Sequence, residues 1–199
     1  MRLAYLTLTS LCLVLTVSVA MAKDKKPGKQ MDPQEMMEVY KQLGTPGEPH
    51  KQFASLAGNW TTTTKEWMEP GKPAMESTGV VEMTMLLDGR FLQQELTGNM
   101  MGQPYTGIGI SGYDNLRKRY VSTWIDSMST GIFTMEGTAS ADGKTITLTG
   151  HHAEAGGGQM THRAIWKLVD SNTQTFDMYG THKGGKEMKM MEITYTRKP

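Results

Sequence analysis

The chain has 199 residues, a formal net charge of +1 and a single cysteine. A near-neutral chain with no basic stripe has no electrostatic footprint for nucleic acid. One cysteine excludes a disulfide framework, whereas the 18 methionines are several times ordinary usage.

The chain opens on Met1-Arg2, an apolar run over 3–19, and Ala20-Met21-Ala22 before Lys23. A basic start, an apolar centre and a small-residue site predict a secretory signal peptide over 1–22. The run is slightly short for a membrane span, so no transmembrane segment is expected after cleavage. Export to the periplasm or the medium is the expected location. Cys12 lies inside this leader behind Leu11, which argues against a lipoprotein site. A mature chain of about 175 residues suits one domain with a sizeable core. It would contain no thiol nucleophile and no cysteine zinc site.

Residues 23–31 are polar, with Pro27 and Gly28, and read as a flexible linker. Asp32-Pro33-Gln34-Glu35 is a helix start: Asp caps, Pro takes the first helical position, and Glu lies near the positive dipole end. Met36, Val39, Tyr40 and Leu43 share one face, Gly44 ends the helix, and 45–49 reads as a turn. The helix and turn occupy 32–49, and a second short helical segment is expected over 50–56. The remaining chain, 50–199, is expected to form one β domain.

From Asn59 onward the hydrophobic period becomes two, with turn signals every eight to twelve residues. Ten runs result, over 59–67, 77–87, 90–98, 104–113, 119–126, 131–140, 145–152, 161–169, 173–182 and 186–197. Turn chemistry separates them, including Asp88-Gly89, Asp142-Gly143 and Gly184-Gly185. No connection can hold a crossover helix, so pairing should be antiparallel between sequence neighbours. The predicted fold is all-β: an up-and-down antiparallel barrel of about ten strands with a short N-terminal helix. Closure removes exposed edges; a two-sheet sandwich is the alternative.

The segment Leu56-Ala57-Gly58-Asn59-Trp60 before four threonines resembles the opening of lipocalin and calycin barrels. That resemblance implies an inward Trp60 at the closed end, covered by a basic residue from the last strand, here Arg197. Five further motifs resemble the bacterial domain of unknown function 1579 family. They are His50-x-x-Phe53-x-x-Leu56-x-Gly58-x-Trp60, Gly89-Arg90-Phe91-Leu92, Gly107-x-Gly109-x-x-Gly112-Tyr113-Asp114, Tyr120-x-x-x-Trp124-x-Asp126 and Met191-Glu192-Ile193-x-Tyr195-x-Arg197. The resemblance covers nearly all of the mature chain and implies a lipocalin-like barrel. It brings no activity, ligand or catalytic residue.

Alternation assigns faces, since successive strand side chains point to opposite sides. It puts His152, His162 and His182 on the inward parity. Counting strands up and down from Trp60 returns Arg197 to the Trp60 end. The same count places the three histidines at the opposite, open rim, together with Tyr105, Trp124 and Asp126. Met160 and Met188 lie close by in sequence. Glu66, Glu95 and Asp126 have inward parity near that rim and could serve as a general acid or base if buried.

The plainest reading of this rim is solvated histidines flanking glycine-rich turns, and three functions stand beside it. The first is binding of a small apolar or amphipathic ligand within the barrel, with Tyr105, Trp124, Asp126, His152, His162 and His182 as candidate contacts. The second is metal or haem binding through the histidines, since neutral imidazole suits Zn, Cu and Fe and thioether sulfur suits Cu(I). The third is a hydrolase-like enzyme, and here the reading leans against catalysis. Gly107-x-Gly109-x-x-Gly112 spells a dinucleotide fingerprint but opens no helix, so no helix N-terminus receives a phosphate. No nucleophile elbow is present. The spacing selects no cofactor, no particular metal and no oligomeric state.

Overall fold

The computed structural model describes residues 31–154 and 156–199, so the expected signal peptide over 1–22 and most of the expected linker over 23–31 lie outside the described residues. Among the described residues, no helix is long and apolar enough to cross a membrane. The strand runs close into a single antiparallel barrel.

Two helices come first, α1 (Pro33–Gly44) and α2 (Glu48–Ala54). The Asp32 side chain accepts from the Gln34 N–H at 2.8 Å, the N-cap that the sequence signals. Residues 48 and 49, read from sequence as part of a turn, instead begin α2. Pro49 occupies its first turn, where a missing N–H costs nothing. The Gly47 N–H donates to His50 Nδ1 at 3.0 Å and caps that end. The Asn115 amide donates to the Leu43 and Thr45 carbonyls at 2.8 and 2.9 Å and ties the helix junction to the barrel.

The barrel strands are β1 (Gly58–Glu66), β2 (Met75–Leu86), β3 (Phe91–Met100), β4 (Gln103–Asp114) and β5 (Arg119–Asp126). They continue with β6 (Phe133–Ala139), β7 (Thr145–Ala153), β8 (Gln159–Leu168), β9 (Thr173–His182) and β10 (Met188–Arg197). Each pairs with its sequence neighbours, and β1 pairs with β10 to close the ring, from Trp60↔Arg197 to Glu66↔Met191. An up-and-down meander of even count must bring its last strand back beside the start of its first.

The core fills the end where β1 begins. Phe53 of α2 and Leu56 in the turn after it pack into the barrel core with Trp60, Met83, Tyr120, Ile146 and Trp166. Phe53 meets Tyr120 edge-on at 5.7 Å and Trp166 at 5.9 Å, spacings that favour offset aromatic packing. The Trp60 indole N–H donates to the Leu56 carbonyl at 2.9 Å. The Arg197 guanidinium lies 4.2 Å from the centre of the Trp60 ring. It also donates to the Ala57, Ser55 and Ser171 carbonyls at 2.7, 2.7 and 2.8 Å. One side chain therefore covers the tryptophan and satisfies carbonyls at the end of α2.

One inward assignment is corrected. Glu95 is exposed on the outer wall, where Gln93 donates to its carboxylate, while Leu92, Gln94 and Leu96 face inward. Phe91 and Leu92 are both apolar, so the pattern alone does not set this strand's parity, and a shift of one residue reverses every side chain. Phe91 faces outward because Gly112, its partner on β4, leaves room for the ring there.

Candidate functional site

Above the plugged end, the interior opens into a cavity of about 140 Å³ that reaches the far mouth. Its wall is mostly apolar, with Leu96, Trp124, Phe133, Met178, Met191 and Ile193 among the lining residues. Thr62, Thr64, Gln94 and Ser122 add uncharged polar groups. Glu66, at the mouth end of β1, is the one formally charged lining residue among those described. Burial raises the Glu66 carboxyl above its ordinary value, favouring the neutral acid.

Tyr105, Trp124 and Asp126 form a chain at this mouth. The Trp124 indole N–H donates to Tyr105 Oη at 3.0 Å, and Tyr105 Oη–H donates to Asp126 Oδ2 at 3.3 Å. The Tyr105 hydroxyl is pushed up to about 12, by burial first, with the Asp126 carboxylate adding to the shift. Tyr105 and Trp124 line the cavity. Local sequence explains the tryptophan's posture. Gly109 on β4 is its cross-strand partner, and side chains at Gly107 or Gly109 would overlap the indole. The glycines of the apparent dinucleotide fingerprint therefore make room for a ring lying flat against the wall.

The histidines stand on adjacent strands at the same mouth. His152, Met160 and His182 form one cross-strand row on β7, β8 and β9, and Gly150, His162 and Gly180 form the next row inward. His162 is 4% exposed, and its Nε2 lies 2.7 Å from His152 Nδ1. The two rings are 4.7 Å apart, and Phe133 meets the His162 ring edge-on at 5.2 Å. Burial first, with His152 and His151 nearby, holds His162 down to about 4, so it is neutral at ordinary pH. His182 turns away from this pair: its Nδ1 contacts Glu154 Oε1 at 2.7 Å, and its side chain is 59% exposed. The pair and the cavity are neighbours, but none of the three histidines lines the cavity. Among the described residues, no three of His, Cys, Asp and Glu are placed to hold one metal ion.

Two methionines stand beside His162: Met160 follows the inward alternation of β8, whereas Met190 escapes it. The β9–β10 register slips between Lys189 and Met191, and this bulge turns the Met190 sulfur over the inner face of Gly180. The Met160 sulfur reaches the same glycine. The sequence shows Met188-x-Met190-Met191 as a cluster, but a bulge has no signature in a period-two pattern.

Known structures share this architecture at low identity. Rv2717c from M. tuberculosis has a TM-score of 0.56 at 13% identity, covering 78% of this chain and all of that one. The S-type phycobiliprotein lyase CPES from Guillardia theta has a TM-score of 0.51 at 10% identity, covering 75% of this chain and 92% of that one. These likenesses show the fold. No curated protein matches the sequence. The model of the family described as "Protein of unknown function (DUF1579)" matches residues 45–197, the second helix and the whole barrel, and the chain belongs to that family.

Proposed function

We propose that this protein binds a small, largely apolar molecule inside its barrel, outside the cytoplasm, and does so without chemistry. The supporting observation is the cavity of about 140 Å³, walled by aromatic, aliphatic and methionine side chains and reaching a polar mouth. Soft methionines let such a wall adapt to its guest. Cavities of about 150 Å³ accommodate a single aromatic ring, so the buried part of the ligand is about one ring or a short chain. A porphyrin is several times larger, which weighs against haem within this cavity.

The lining also selects by charge. Its formal charge is that of Glu66, and no lining residue among those described is a cation. A buried anion without a partner is costly, so the preferred ligand is neutral or carries a positive head, rather than being a fatty-acid anion.

Indole, tryptamine and indole-3-acetate share one ring system and differ in charge. Calorimetric titration should show binding of indole and tryptamine, and at least about tenfold weaker binding of the acetate. Leu96→Trp, which fills the cavity, should abolish both. Absence of heat and of NMR shifts for all three would sink this reading, as would binding that Leu96→Trp leaves intact.

A further inference from the structure

We propose that Met160, Met190 and His162 form a binding site for a soft monovalent metal ion, Cu(I), just inside the barrel mouth. This site is separate from the cavity proposed above and does not depend on it.

The first observation is an orphaned atom. His162 Nδ1 is the one buried side-chain nitrogen or oxygen without a hydrogen-bond partner among the described residues. The other ring nitrogen is engaged, since Nε2 faces His152 Nδ1 at 2.7 Å. In the tautomer where Nε2–H donates to His152, Nδ1 carries a free lone pair. That is the arrangement of a metal-binding imidazole, whose second nitrogen donates to an orienting partner.

The second observation is what stands beside that imidazole. Gly180 is the cross-strand partner of His162. Directly opposed side chains in a sheet lie about 5 Å apart at Cβ. The space that a side chain at Gly180 would occupy holds the sulfurs of both Met160 and Met190. The sulfurs of Met160 from β8 and Met190 from β10 thus converge on one glycine of β9, directly across the strand pair from His162.

Met190 is held there from outside the wall. Its carbonyl accepts from the Trp67 N–H at 2.9 Å. Lys189, its neighbour, contacts Asp177 at 2.8 Å and Glu192 on the outer face, and lies over the Trp67 ring at 5.5 Å. The bulge is therefore pinned on the side opposite the sulfur.

The chemistry of the donors selects the ion. Two thioethers and a neutral imidazole are soft, uncharged ligands, which suit Cu(I) and poorly suit Zn²⁺, Mg²⁺ or Ca²⁺. A single positive charge is also the least costly to bring into an apolar wall.

The test is anaerobic titration of the purified protein with Cu(I) held by bicinchoninate as a coloured competitor. The wild type should withdraw one equivalent. Met160→Leu and Met190→Leu, close in volume and shape, should each weaken binding at least about tenfold, and His152→Phe about 10–100-fold by releasing the imidazole's orientation. Met37→Leu, on exposed α1, should change nothing. Near-UV circular dichroism of the apo variants checks their fold, and the methionine variants carry the test if His162→Gln does not fold. X-ray absorption of the loaded protein should show sulfur and nitrogen neighbours. Unchanged affinity in the Met160→Leu/Met190→Leu double variant would overturn the site. So would Zn²⁺ binding as tight as Cu(I), or a metal shell of nitrogen and oxygen alone. Weak Cu(I) uptake common to all variants would place copper on exposed methionines and equally reject the proposal.

Discussion

At the scale of single residues, Trp60 and Arg197 do more than fill space. Trp60 is fully buried and Arg197 joins it, the last strand and the end of α2. Trp60→Ala should destabilise the protein by about 3–5 kcal/mol in urea melts, as other buried aromatic truncations do. A double-mutant cycle of Trp60→Leu and Arg197→Met should give a coupling of about 0.5–2 kcal/mol; strict additivity would mean that the stack contributes nothing. Glu66 makes the opposite kind of statement. Its folded-state carboxyl titrates above the ordinary 4.5 because burial disfavours the anion. The native state therefore gains from its proton at low pH and loses that gain as pH rises through the raised value. Glu66→Gln should be more stabilising, relative to wild type, at about pH 8 than at about pH 4. Equal differences at the two pH values would put the carboxylate in open water.

At the scale of elements, the ten strands and their order were legible because turn chemistry punctuates almost every hairpin and alternation is clean in β2, β7 and β8. What escaped reading lies where a glycine or a bulge interrupts period two. Gly112 admits Phe91 on the outer wall and so reverses the expected face of Glu95. The bulge in β10 brings Met190 inward beside Met191. The common face of His152 and His162 was readable from Ile146, Leu148, Ala164 and Trp166 on the same strands. That His182 would instead turn to Glu154 was not, because a rim side chain answers to loop neighbours rather than to strand parity. Glycine spacing in β4 also acquires a physical meaning. Gly107→Ala would press a methyl into the Trp124 indole. The rigid ring cannot yield as a methionine would, so the variant should lose about 1–3 kcal/mol. It should also shift tryptophan fluorescence; an unchanged spectrum and melt would show the indole free to move.

At the scale of the whole molecule, stability is concentrated in a ring that begins with α2. Along the described chain, the first buried side chain is His50, and α1 buries none, with Met37 68% exposed. Among the described residues, no side chain before His50 is fully buried, and the helix junction is tied to the barrel through Asn115 hydrogen bonds to the Leu43 and Thr45 carbonyls. Closure by β1 and β10 leaves no free edge, and the chain after Ala22 contains no cysteine, so folding beyond the cytoplasm needs no disulfide catalyst. These features are compatible with the export we propose. A chain starting at Gly47 should then melt within a few degrees of one starting at Lys23, whereas a chain starting at Gly58, without Phe53 and Leu56 as the plug, should lose cooperative unfolding. Export itself is read by N-terminal sequencing of protein recovered from the native cell envelope or medium. The sequence should begin at Lys23. An intact Met1 in that fraction would make residues 3–19 a retained anchor, and a start at Cys12 would make the protein a lipoprotein; either result would tether the barrel to a membrane and limit its ligands to those met at that surface.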